Sequence, residues 1–87
     1  MEKRHQLIGY SKIEDREHSL IKFNSYADFK ENLIDREDLE GYTDYIVRDH
    51  LTKTSFIILE VPSDYESNIV NKLKKMVSGY FAYDKTR

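Results

Sequence analysis

The chain has 87 residues, with 14 Lys and Arg against 16 Asp and Glu, a net charge of −2, 39% hydrophobic residues and no cysteine. These figures exclude a disulfide framework, a thiolate metal site and a thiol nucleophile, and they weigh against the broad basic field that nucleic-acid or anionic-membrane binding draws on. A chain this short is expected to form one domain over residues 1–87 and to bury only about 60% of the surface its unfolded form exposes.

The start, MEKRHQLIGY, carries charge but no following apolar stretch of signal-peptide length, and no apolar run approaches the roughly 20 residues of a membrane-spanning helix. A soluble, cytoplasmic protein with no membrane partner is expected. The first strands are expected to turn through Glu14 to Glu17, and HSLIKF is rich in the branched and aromatic residues that suit a pleated surface. The stretch NSYADFKENLID then reads as a helix of roughly three turns, with Ser25 and Asp28 in a capping relation and Tyr26, Phe29, Leu33 and Ile34 as its apolar stripe.

From Asp28 to Asp44 seven acids and two bases give a local charge of −5, leaving +3 for the rest of the chain. Beyond it DYIV reads as a strand ending at Arg48, Asp49 and His50, with a turn from Asp49 to Lys53 and a further strand at SFIILEV. The second helix is expected to start at a capping box formed by Ser63 and Glu66. Tyr65, Ile69, Val70, Leu73, Met76, Val77 and Tyr80 make its apolar arc, opposite Lys72, Lys74 and Lys75. Gly79 offers the stop, and YFAYD could add a short edge strand.

Shifting the chain on itself by 38 residues aligns Leu7 with Tyr45, Ile8 with Ile46, Ile13 with Leu51, Leu20 with Ile58 and Ser25 with Ser63. Two strand–strand–helix units, 6–35 and 44–78, are therefore either a true repeat or two hairpin–helix segments of coincidental likeness. The expected fold is α+β, a small antiparallel sheet with two amphipathic helices on one face, in the order ββαββα. The runner-up is a ferredoxin-like βαββαβ with a flexible start up to about residue 17.

Arg48, Asp49 and His50 could hold and move a proton, but neighbours in a strand point to opposite faces and cannot converge on one substrate. Asp49 is instead expected to form the turn, since its carboxylate can bond the backbone just ahead. His5, His18 and His50 lack metal-ligand spacing, Ser25 and Ser63 are explained as helix caps, and three isolated glycines make no phosphate loop. No catalytic residue, metal ligand or cofactor site is assigned, and the chain is read as non-enzymatic.

The expected function is that of a protein-binding adaptor, regulator or inhibitor. Its acidic surface of Asp35, Glu37, Asp38, Glu40 and Asp44, with Tyr42 as anchor, would dock a partner with a basic surface. The first alternative is a nucleic-acid-binding module using Lys72, Lys74 and Lys75. The second is a small-molecule sensor with a pocket between the two hairpin–helix halves. Seven tyrosines also leave room for a homodimer.

Overall fold

The computed structural model describes residues 3–33, 39, 41–61 and 69–85. Among them the elements are β1 (His5–Ser11), β2 (Arg16–Phe23), α1 (Tyr26–Glu31), β3 (Asp44–Asp49), β4 (Thr54–Glu60) and α2 (Ile69–Lys85). The strands form one sheet in the order β2-β1-β3-β4, and every neighbouring pair is antiparallel. This is an α+β arrangement running ββαββα along the described residues. A ferredoxin-like order would leave the start unpaired, whereas β1 bonds β2 on one side and β3 on the other.

Because side chains alternate across a strand, the register sorts residues onto two faces. Leu7 stands opposite Ile21 and Val47, and Gly9 stands opposite Tyr45. Leu7, Ile21, Tyr45 and Val47 share one buried cluster with Phe23, Phe29, Leu33, Ile69, Leu73 and Val77. The Phe23 ring meets Phe29 of α1 at 5.0 Å and Phe81 of α2 at 5.9 Å, so both helices lie on that face. Each fully buried side chain of this kind contributes about 1.5–3 kcal/mol, and Gly9 is part of the fit. A Cβ on Gly9 would stand 2.5 Å from the Tyr42 ring, which lies directly over it.

The opposite face carries Gln6, Ile8, Ile46 and Arg48 and is closed by polar bonds. Arg48 on β3 pairs with Glu17 on β2 at 3.3 Å. Arg48 stands opposite Gln6 and Glu17 opposite Tyr10, so the ion pair crosses β1 over Ile8. Ile8 is only 2% exposed although it lies outside the helix-side cluster.

Both helices differ from expectation. The first covers Tyr26–Glu31 only, and Ile34 and Asp35 of the expected three turns lie outside the described residues. Ser25 caps its start as expected, accepting from the Asp28 N–H at 3.1 Å. Asn32 ends it: its side-chain amide donates to the Asp28 carbonyl at 2.7 Å, competing with the helical backbone for that acceptor. The second helix runs through Gly79 to Lys85, so Gly79 is no stop and YFAYD is helical rather than an edge strand. Packing overrides the local signal here, since Tyr80 and Phe81 set their rings against His5 at 5.5 and 5.1 Å. The capping box at Ser63 and Glu66 lies outside the described residues.

The two hairpins share their irregularities. Each hairpin register slips once, leaving Leu20 unmatched in β2 and Ile58 unmatched in β4. Each turn ends on a residue with positive φ, Asp15 at 54° and Lys53 at 59°. Ser11 accepts from the Glu14 N–H at 3.2 Å, and Asp49 accepts from the Thr52 N–H at 3.4 Å. In each comparison the two positions stand 38 residues apart.

A candidate binding groove beside the edge strand

Asp49 parts from Arg48 and His50, as strand alternation requires. Arg48 lies on the helix-free face with Glu17 and with Ser55, whose hydroxyl accepts from its Nε at 3.2 Å. His50 meets the Gln6 side chain at 2.8 Å. Asp49 turns to the helix side, 4% exposed. There it accepts from Arg4 Nε at 3.0 Å, from a terminal Arg4 nitrogen at 2.9 Å and from the Leu51 N–H at 2.9 Å. The Arg4 guanidinium holds the Asp49 carboxyl well below the usual carboxylate range; the turn N–H groups act in the same direction, while burial opposes them.

This ion pair forms one end of a groove of about 810 Å³ between β4 and the second half of α2. Phe56, Ile58, Met76 and Tyr80 line its apolar length, Gly79 opens its helical wall, and Thr52, Thr54 and Lys75 join Arg4 and Asp49 as its polar lining. Ile58 follows Phe56 onto the helix side by alternation, and the extra residue in β4 then lets Leu59 stand opposite the buried Tyr45 as well. Phe56 remains 48% exposed and Ile57, on the other face, 61%. Tyr80 reaches Phe56 at a ring separation of 5.8 Å, and its hydroxyl meets His5 Nδ1 at 3.3 Å.

The strand beside this groove is an edge, and its sequence differs from that of the other edge. β2 carries Arg16, Glu17 and Lys22, the charges that discourage further strand pairing, whereas TSFIILE of β4 has a charge only at Glu60. The run FIIL, apolar on both faces, was the sequence signal for this site. Met76 and Tyr80 were assigned to the core by their place on the helical arc, yet they wall the groove.

The expected acidic surface falls mainly outside the described residues, which exclude Asp35, Glu37, Asp38 and Glu40. Of its other members, Tyr42 is half-buried over Gly9 and meets His18 at 5.4 Å, and Asp44 is buried, accepting from the Thr43 hydroxyl at 3.2 Å. The three lysines divide between sides of α2. Lys75 lines the groove, Lys72 lies one turn before it, and Lys74 falls about 160° from Lys72 at 100° per residue, on the far shoulder. The groove belongs to the second hairpin and α2, with Arg4 as the one lining residue from the N-terminal end of the chain.

Each histidine has a neighbour that accounts for its orientation: His5 the aromatic rings, His18 the Glu14 carboxylate at 3.3 Å, and His50 the Gln6 amide. No group of three or more His, Asp or Glu side chains among the described residues is placed to hold a metal ion. No described helix is long and apolar enough to cross a membrane. No family model matches the chain, and no curated protein or solved structure matches it.

Proposed function

We propose that this chain is a non-catalytic protein-interaction domain that captures an extended polypeptide segment along β4. The observation carrying this reading is the coincidence of an edge strand almost free of charge with an apolar groove directly beside it. An added strand gains affinity from main-chain hydrogen bonds, and a groove next to the edge receives every second side chain and supplies selectivity. The helix-free face offers less: its charged side chains already pair across the sheet, as Arg48 does with Glu17. The groove volume also suits a small ligand, which makes small-molecule sensing the second reading.

A display library of random eight-residue segments, panned on the full chain, tests the proposal. Gly79→Leu serves as the counter-selection, because its side chain enters open space at the groove wall while favouring helix more than glycine does. Segments should enrich on the native chain, lose at least tenfold in affinity for the variant, and shift the backbone amide resonances of Thr54 to Ile58. Binders that ignore Gly79→Leu and perturb another surface would refute it, as would a failure of any segment to enrich.

A further inference from the structure

The charges at the two ends of β4 specify what kind of strand fits beside it. Lys53 precedes the strand and Glu60 ends it. Glu60 stands opposite Asp44, on the helix-free face, whereas Lys75 lines the groove on the helix side. The Asp49 carboxylate is taken up by Arg4 and two turn amides, so Lys53 leaves its end positive while Glu60 leaves the other negative. All three strand pairs in the sheet are antiparallel. An incoming strand that continues the pattern places its own C-terminal end beside Thr54 and its N-terminal end beside Glu60.

The fitting strand is therefore apolar in the middle, basic before its start and acidic at its end. β4 has this pattern itself: Lys53, then Thr54 to Leu59 with Phe56, Ile57 and Ile58 exposed or half-buried, then Glu60. We infer that the occupant of the edge is a second copy of this chain, paired antiparallel through β4 about a two-fold axis. Such a pairing joins the two four-stranded sheets into one. It covers Phe56 and Ile57 of both copies and sets Glu60 of the second copy toward the Lys53 end of the first, twice over by symmetry. A domain paired in this way covers its own capture site, so a partner segment must compete with the second copy for it. The inference rests on the strand-capture reading, because both use the same edge.

Sedimentation equilibrium on the full chain, from micromolar to millimolar, tests it through a charge exchange. The native chain should associate to a dimer and no further. Glu60→Lys and Lys53→Glu should each weaken the dimer at least tenfold, and the two together in one chain should recover most of that loss, because the attraction is restored with its sign reversed. Ile57→Lys should give a monomer that keeps native circular dichroism and cooperative melting. A native chain monomeric throughout would overturn the inference, yet would leave strand capture standing if displayed segments still bind. A dimer indifferent to all these substitutions would place the contact elsewhere and overturn it as well.

Discussion

Asp49 shows how one residue of a suggestive triplet serves architecture. Its carboxylate joins Arg4, which precedes β1, to the backbone of the second hairpin turn, and so fixes one end of the groove. The folded chain holds its proton affinity below that of the unfolded chain, with Arg4 as the main cause. The resulting stabilisation is complete above the unfolded value near pH 4 and is lost as pH falls through the lower folded value. Asp28, lowered by Lys3 and the Asn24 N–H, contributes in the same direction. Asp49→Asn should therefore lower stability at neutral pH by roughly 2 kcal/mol, on the order of 10 °C in Tm. It should also flatten the decline of Tm between pH 5 and pH 2 that the native chain shows. Parallel Tm–pH curves for the two proteins would mean that the Arg4 pair adds nothing to the folded state. The turn-forming role was legible because Asp at a strand end has a local physical meaning; its partner was not, since Arg4 lies 45 residues away.

At the scale of elements, strands, hairpins and the capped start of α1 were legible, and the C-terminal ends of the helices were not. The second turn falls within Asp49 to Lys53 as expected, whereas the first ends at Asp15, with Arg16 and Glu17 already in β2, and the expected strands overlap β2, β3 and β4. The 38-residue alignment pairs Leu20 with Ile58, the two positions at which the hairpin registers slip, but carried no sign of the slip itself. Gly79 misled because glycine commonly stops helices by adopting positive φ. Here it lies within α2 and is not among the positive-φ residues, while the rings of Tyr80 and Phe81 hold the next turn against β1. Glycine still costs a helix interior about 1 kcal/mol relative to alanine, and a Cβ at this position would meet nothing within 4 Å. Gly79→Ala should accordingly raise stability by close to that amount, visible as a Tm a few degrees higher. A lower Tm would mean that α2 is strained or broken at Gly79.

For the whole molecule, the sheet order determines which backbone is protected. β1 and β3 are paired on both edges and centred on Ile8 opposite Ile46, while β4 is paired only with β3. Burial follows the same order: Leu7, Ile8, Tyr45 and Val47 are buried, and Thr54 to Ile57 are exposed. Sequence could show that β4 was apolar but not that it was an edge, because strand order depends on which pairings bury the most surface, and no local pattern records that. Amide exchange follows access to opening and to solvent. In dilute solution the amides of Leu7 to Gly9 and Tyr45 to Val47 should be the slowest of the chain. The outward-facing amides between Thr54 and Ile58 should be the fastest within the sheet. Raising the concentration into the range where the chain associates should slow the β4 amides selectively, with β2 unchanged, because β4 alone gains a neighbour. Equal protection of β2 and β4 at every concentration would remove the asymmetry between the two edges, and with it the reason for placing the binding surface on β4.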